Sequence, residues 1–166
     1  ERLRRLQETA AELKPYPGLV AKTELAAASL MAELGRPDQA LAALARIEEP
    51  DWAAARARLE EASLHKKAGR DLDAILILEQ VLDTWDEISM EPFLLAAGDS
   101  LFTLLFETAG NFFREGDFAL ALVRYREAGE LRPHNFEVKR GITASAYRTG
   151  KLAGLLADYQ ARSRER

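Results

Sequence analysis

The stretch GNFFREGDFALALVRYREAGELRP, residues 110–133, sets aromatic residues and alanines at regular intervals between a glycine and a proline. Gly116 suits a turn because the residue after a helix end commonly adopts a left-handed backbone, which strains residues other than glycine. Asp117 is a suitable N-cap for a second helix, and Pro133 is typical of the position where such a helix ends. The stretch therefore predicts two helices joined by a short turn.

The glycine of this turn recurs along the chain at a fixed spacing. Gly35 and Gly69 are 34 residues apart, and so are Gly116 and Gly150. From Gly69 to Gly116 the distance is 47 residues, which is one period plus 13 inserted residues. The same shift relates residues of the following helices: Ala40 to Ala74, Leu44 to Leu78, Ala121 to Leu155, and Tyr125 to Tyr159. Each period therefore predicts a helix, a glycine turn and a second helix.

These residues resemble the pattern of the tetratricopeptide repeat family. Its first helix carries a large residue, a leucine, a small residue and an aromatic, and its second carries an alanine and an aromatic before a closing proline. The best unit fills these places with Leu105, Thr108, Ala109, Phe112, Ala121, Tyr125, Ala128 and Pro133. The other units fill fewer of them, with Ala28, Met31, Ala40, Leu44 and Ile47; with Ala62, His65, Ala74, Leu78 and Val81; and with Thr143, Ala146, Leu155 and Tyr159. One period further back, Leu3, Leu6, Ala10 and Leu13 occupy second-helix places.

The resemblance implies an all-α fold, a right-handed superhelical solenoid of antiparallel helix pairs with about four repeats and an N-terminal half repeat. It covers nearly the whole chain, which we interpret as one domain, residues 1–166. In such a solenoid the first helices line a concave groove. The partial repeat is 1–18, the repeats are 21–54, 55–88, 102–135 and 136–166, and 89–101 is a helix-extending insertion.

The same repeat spacing predicts where the helices begin and end. Asp71 and Asp117 are predicted N-caps, and Pro37 suits a first helical turn. Ser89 before Glu91-Pro92 indicates the start of an unusually long first helix in the third repeat. The predicted helices are 1–14, 20–34, 37–48, 51–68, 72–87, 92–115, 118–131, 135–149 and 152–164.

Two adjacent phenylalanines on one helix point about 100 degrees apart, so they serve different surfaces. Phe112 holds the aromatic place of the repeat and is predicted to fill the space between helices. Phe113 lies in line with Phe106 and is predicted to face the groove. The alternative is that Phe106 and Phe113 pack on neighbouring helices. The predicted partner-binding groove consists of Leu59, Ser63, Lys66, Phe106, Phe113, Arg140 and Tyr147.

The insertion brings three large apolar residues, Trp85, Met90 and Phe93, to the ends of two helices. We expect the helix before the insertion to continue past Trp85, so that the pair projects beyond its neighbours. The three side chains then either hold the extension together or form an exposed docking patch.

Charge is distributed unevenly over the 166 residues, whose net charge is −4. No basic residue stands between Arg70 and Arg114, an interval that holds nine acids. A wholly basic footprint, as nucleic acid requires, is absent, so no nucleic-acid partner is predicted. The acidic interval either steers a basic partner, or faces the basic C-terminal stretch RSRER, residues 162–166, of another copy and favours head-to-tail association, or is simply a solvated face.

The residue types that carry chemistry are scarce. The chain has no cysteine, which excludes thiol nucleophiles and thiolate metal sites. His65 and His134 are the only histidines, and neither has metal-ligand spacing to another ligand. His65 occupies the repeat position that Phe112 holds in the best unit, so its side chain is predicted to pack against neighbouring helices. No catalytic grouping, phosphate-binding loop, cofactor or metal is predicted. No apolar run approaches about 20 residues, so no membrane insertion is predicted.

Function follows from the resemblance: a non-catalytic protein-protein interaction module that binds a peptide or helix of a partner protein in its concave groove. The clamp with which some family members grip a C-terminal carboxylate is absent, because its places hold Leu25, Ser29, Ser63 and Gly110. The alternative is a structural spacer or self-assembly segment of a larger bacterial scaffold or envelope assembly. A third possibility is a sensor domain of a larger regulatory protein, since the chain begins at Glu1 and reads as a fragment.

Overall fold

Helices make up the regular structure of the part of the chain that the computed structural model describes, residues 2–13, 16–85 and 88–164. Within these ranges there are nine α-helices, one 3-10 turn and no strand, which confirms the all-α class. The helices are α1 (Arg2–Glu12), α2 (Pro17–Glu33), α3 (Pro37–Leu44), α4 (Asp51–Lys67), α5 (Asp71–Thr84), α6 (Glu91–Glu115), α7 (Phe118–Leu131), α8 (Phe136–Arg148) and α9 (Leu152–Arg164), with the 3-10 turn at Ile88–Met90.

The helix ends agree with the sequence signals at most positions. Pro37 is the first residue of α3, and Asp117 caps α7 by accepting a hydrogen bond from the backbone N–H of Leu120 at 3.1 Å. The expectation that Asp71 is an N-cap is wrong, because Arg70 holds that position and Asp71 is the first helical residue. There its carboxylate still lies at the positive end of the helix dipole.

The four recurring glycines all adopt the left-handed backbone, with φ of 72, 71, 88 and 69° at Gly35, Gly69, Gly116 and Gly150. The predicted glycine turns are therefore confirmed. At each turn the residue after the glycine donates a backbone hydrogen bond to the carbonyl five residues earlier, which satisfies a carbonyl of the last helical turn. The four bonds are Arg36 to Met31, Arg70 to His65 and Asp117 to Phe112, each 2.9 Å, and Lys151 to Ala146, 2.8 Å.

Residues at equivalent places in the period are buried alike. Ala28, Ala62 and Ala109 are buried in the first helices of their hairpins, as expected for small residues that let helices approach closely. The last hairpin differs, because Thr143 at the same place is exposed. In the second helices the buried residues are Ala40, Leu44 and Ile47; Ala74, Leu78 and Val81; Ala121, Tyr125 and Ala128; and Leu155. The predicted side chains of Ala10 and Tyr159 lie outside the described residues.

The chain divides into two units, of which unit 1 is Glu1–Gly98. In unit 1, α1 packs on α2, α2 packs on α3 and α4, α3 packs on α4, and α4 packs on α5. Leu3 and Leu6 of α1, and Leu13 directly after it, are half-buried, in agreement with their predicted second-helix places. The largest buried cluster is formed by Ala21, Ala28, Met31, Ala40, Ala43, Leu44, Ile47, Ala53 and Ala57.

Unit 2 is Asp99–Arg166. In it α7 packs on α8 and α8 packs on α9, while aromatic rings join α6 to α7. All four of its helices contribute buried residues, among them Leu101, Leu104, Leu105 and Ala109 of α6; Ala121, Leu122 and Ala128 of α7; Val138, Ile142 and Ala146 of α8; and Leu155 of α9. The boundary between the units falls inside the predicted insertion, residues 89–101.

The insertion agrees with the prediction in one helix and not in the other. The long helix is confirmed, since α6 has 25 residues. The prediction that the preceding helix continues past Trp85 is wrong, because α5 ends at Thr84 and Trp85 has an extended backbone. No basic residue stands in the last turn of α5, so acidic side chains such as Asp83 face the negative end of the helix dipole and oppose continuation. Met90 is buried, which favours the packing interpretation over a docking patch.

Among the described residues, α6 is the one helix long and apolar enough, by length and composition alone, to span a membrane. The sequence analysis predicts no membrane-spanning segment because it finds no uninterrupted apolar run of about 20 residues. In α6, acidic residues such as Asp99 and Glu107 interrupt the apolar sequence. Core helices of soluble proteins pass the same test, and Leu101, Leu105 and Ala109 of α6 are buried within unit 2. The absence of membrane insertion stays a prediction.

Candidate protein-interaction face

The seven residues of the predicted groove lie on three helices. Leu59, Ser63 and Lys66 are on α4 in unit 1, where Leu59 is half-buried and the other two are exposed. The remaining four all belong to unit 2 and lie on its two helices α6 and α8: Phe106, Phe113, Arg140 and Tyr147. The candidate face described below is therefore built from unit 2 alone.

Phe106 is half-buried against two other rings. Its ring centre lies 5.6 Å from that of Tyr125 in an edge-on arrangement and 6.1 Å from that of Phe102 in a stacked one. Both distances fall in the range where aromatic pairs attract each other. Phe106 therefore packs on a neighbouring helix, as the alternative interpretation expects, and part of its surface stays exposed.

Phe113 also contacts the next helix without being sealed by it. Its ring meets the ring of Phe118, on α7, edge-on with 5.1 Å between the ring centres. The guanidinium of Arg148, on α8, lies 4.2 Å from the centre of the same Phe118 ring. This cation–π contact links α8 to α7 at the end of α6. Phe113 is half-buried, so part of its surface remains accessible.

Tyr125 fixes the placement of α8, because its ring lies directly against the α8 backbone at Gly141. A Cβ atom added at Gly141 would stand 2.6 Å from Cε1 of the Tyr125 ring, closer than side chains tolerate. On the other side, a Cβ added at Gly110 of α6 would meet the Tyr125 hydroxyl at 3.8 Å. The ring is therefore held between α6 and α8, and Gly141 is the residue that permits the close approach.

Burial raises the pKa of Tyr125 above its ordinary value of 10.0. The positive charge of Arg140 opposes this rise, and the negative charge of Glu137 adds to it. Because both charges stand on α8, this environment depends on the placement of that helix. Tyr125 stays neutral at physiological pH.

Alkaline pH should destabilise the protein through Tyr125. The unfolded chain, with an ordinary tyrosine pKa, loses this proton at a lower pH than the folded chain does. The stability that Tyr125 contributes is therefore complete below pH 10.0 and is lost as the pH rises from there through the raised folded pKa. We expect Tyr125→Phe to reduce the fall of the melting temperature across this window. An identical alkaline fall in the variant and the wild type would contradict the raised pKa.

The outer side of α8 carries a line of exposed residues that we name the α8 stripe: Phe136, Arg140, Thr143 and Tyr147. Their spacing of four, three and four residues places them on one helix face, about 16 Å long. Phe136 and Tyr147 are 72% and 70% exposed, and the buried Val138, Ile142 and Ser145 occupy the opposite face. Sequence reasoning had identified Arg140 and Tyr147 but missed Phe136, although its spacing from Arg140 was the signal that could have revealed it.

The charge of this side of α8 is positive. Arg140 donates to the Glu137 carboxylate at 2.7 Å, and both side chains are exposed. Lys139 and Arg148 are exposed as well. An exposed ion pair of this kind contributes about 0 to 1 kcal/mol, so Arg140 can exchange Glu137 for a carboxylate of a partner at little cost.

Within the described residues, no three histidine or acidic side chains converge to hold a metal ion. His65 has a mostly buried side chain whose Nδ1 lies 3.3 Å from the Asp73 carboxylate. His134 is exposed. Neither histidine therefore belongs to a metal-ligand cluster in the part of the chain that the structure describes.

Comparison with known proteins adds no relative, because no protein-family model and no curated protein sequence matches this chain. The features that bear on function are therefore the α8 stripe and the contacts that hold α8 in place.

Proposed function

We propose that the four helical hairpins, α2–α3, α4–α5, α6–α7 and α8–α9, are tetratricopeptide repeats arranged as the right-handed superhelical solenoid of that family. Two observations support the proposal. The glycine turns recur at intervals of 34 residues within each half of the chain, and all four have the same backbone hydrogen bonds. The buried alanines at equivalent places match the small-residue positions of the repeat.

The chain acts as a non-catalytic protein-interaction module that binds a peptide or helix of a partner protein. The observation that carries this proposal is the α8 stripe, in which two aromatic side chains about 70% exposed flank Arg140 on one helix face. Aromatic residues and arginine carry most of the binding energy at protein interfaces. Leu59, Ser63 and Lys66 of the predicted groove remain predictions.

The composition of the stripe indicates what kind of segment it binds. Phe136 and Tyr147 offer apolar surface at the two ends, and Arg140 offers a planar guanidinium that pairs well with a carboxylate. An amphipathic helix with an apolar residue and an acid on one face matches this order. The accessible edges of Phe106 and Phe113 lie on α6 of the same unit and can extend the contact.

Tyr147→Ala should weaken the binding of such segments at least tenfold, a loss typical of an interface hot spot. Peptides selected from a random displayed library against the full chain provide the probe, and calorimetry of the individual peptides provides the affinity. Tyr16→Ala is the matched control, because Tyr16 is 61% exposed and is the N-cap residue of a different helix, α2. Both variants should melt like the wild type, since neither side chain is buried.

Two results would reject the interaction face. One is a set of selected peptides that bind Tyr147→Ala as tightly as the wild type. The other is a library that yields no binding peptide at all.

A second candidate function, self-assembly, is favoured by a separate observation. α5 exposes two leucines, Leu72 and Leu76, on a face that also carries acids.

A further inference from the structure

The outer side of α5 carries an exposed line that we name the α5 stripe: Leu72, Leu76, Glu79 and Asp83. Leu72 and Leu76 are each 57% exposed. The opposite face of α5 is buried through Ala74, Ile75, Leu78 and Val81. Two exposed leucines in register on one helix indicate a surface that another protein covers.

The α5 and α8 stripes have the same spacing and complementary chemistry. In each stripe the residues are four, three and four positions apart, so the two stripes have the same length along their helices. The α5 stripe offers leucines and carboxylates, and α5 carries no basic residue. The α8 stripe offers aromatic rings and Arg140, with Lys139 exposed beside it.

The order of the residues selects an antiparallel pairing. With the helices antiparallel, Leu72 lies opposite Tyr147 and Glu79 lies opposite Arg140. The same register sets Leu76 opposite Thr143 and Asp83 opposite Phe136. One apolar pair and one ion pair are then matched. The antiparallel orientation also brings opposite ends of the two helix dipoles together.

The parallel pairing fails on the same residues. It sets Leu76 opposite Arg140, Glu79 opposite Thr143 and Asp83 opposite Tyr147. The arginine then faces an apolar side chain, and no acid faces a base. The antiparallel orientation is therefore the one that pairs an acid with a base, Glu79 with Arg140.

We infer that the α8 stripe binds the α5 stripe of a second copy of this chain, in the antiparallel register with Glu79 opposite Arg140. This inference rests on the proposed function and names the helix that the interaction face takes. Both stripes are exposed in a single copy, so each is accessible to another copy. To form this contact, Arg140 breaks its exposed ion pair with Glu137 and pairs with Glu79 of the second copy. The exchange replaces one weak ion pair with another.

The contact is head-to-tail, because a different surface is used on each copy. Each contact uses one α5 stripe and one α8 stripe, so each copy has two surfaces that can take part. One helix pair buries less surface than a standard protein interface, so the association is weak and depends on protein concentration. Its ion pairs make it weaker at high salt.

Sedimentation velocity of the full chain at increasing concentration tests the inference by charge reversal. Arg140→Glu and Glu79→Arg should each weaken association by about tenfold or more, and the chain that carries both changes should recover it, because the ion pair is restored with reversed charges. Arg126→Glu is the matched control, since Arg126 is exposed on α7 outside both stripes. Circular dichroism verifies that all variants are folded.

Three results would overturn the inference. They are a wild-type chain that stays monomeric at every concentration, an Arg126→Glu variant that loses association as much as Arg140→Glu does, and a double variant that does not recover. If the wild type is monomeric but selected peptides still bind it through Tyr147, the self-association fails and the peptide-binding function stands. If Tyr147→Ala changes neither association nor peptide binding, both fail.

Discussion

Replacement of Tyr125 by alanine should lower the free energy of unfolding by about 3 to 5 kcal/mol, the usual cost of truncating a buried aromatic residue. The ring is 8% exposed and contacts the Phe106 ring on one side and the Gly141 backbone on the other. Its removal leaves a cavity between three helices that backbone movement can fill only in part. Urea unfolding of the full chain, followed by far-ultraviolet circular dichroism, measures the loss.

Tyr125→Phe separates the ring from the hydroxyl group. The ring fills the same space in this variant, so most of the stability should remain, and the loss in Tyr125→Ala is then assigned to packing. Tyr147→Ala removes a tyrosine that is 70% exposed and should change stability by at most about 0.5 kcal/mol. A Tyr125→Ala chain as stable as the wild type would contradict the placement of this ring between α6, α7 and α8.

The backbone of the hairpins could be predicted from the sequence because its signals are local. Gly116 requires a left-handed backbone and Asp117 offers a cap, and both properties belong to the residues themselves. The repeat spacing then transfers the same turn to Gly35, Gly69 and Gly150, which all adopt it. Local chemistry repeated in phase is therefore sufficient for the turns.

The end of α5 at Thr84 shows a limit of that reasoning. The apolar residues around Trp85 fit a continuing helix, but the acids near the helix end oppose its dipole, and pattern alone does not weigh the two effects. Asp71 shows a smaller limit of the same kind. An aspartate suits both the N-cap and the first helical turn, and its sequence position does not distinguish them.

The candidate site was predicted less completely, because exposure depends on which helices pack together. The spacing of Arg140 and Tyr147 predicts a shared face, and that face is exposed in unit 2. Phe136 was counted as the first residue of a repeat, and its exposure follows from the orientation of α8 that the Tyr125–Gly141 contact fixes. The rings of Phe106 and Phe113 contact α7, which agrees with the alternative that they pack on neighbouring helices.

Gly141 is the clearest case of a residue whose role only the packing explains. In a helix interior, glycine is ordinarily the weaker choice, and alanine improves stability by up to about 1 kcal/mol. At Gly141 the sign should reverse, because the added Cβ would lie within 2.6 to 2.7 Å of three atoms of the Tyr125 ring. The ring has little room to retreat, since Phe106 contacts its other side.

Gly141→Ala should therefore destabilise the protein by about 1 to 3 kcal/mol, the usual cost of overpacking. Gly98→Ala is the matched control, because Gly98 also lies inside a helix, α6, and an added Cβ there meets nothing within 4 Å. That variant should be as stable as the wild type or more so. In a Tyr125→Ala background the obstruction is gone, so Gly141→Ala should become neutral or stabilising, and the difference between the two backgrounds measures the coupling. Equal effects of Gly141→Ala in both backgrounds would mean that the ring does not lie on the α8 backbone, and the exposed orientation of the α8 stripe would lose its structural basis.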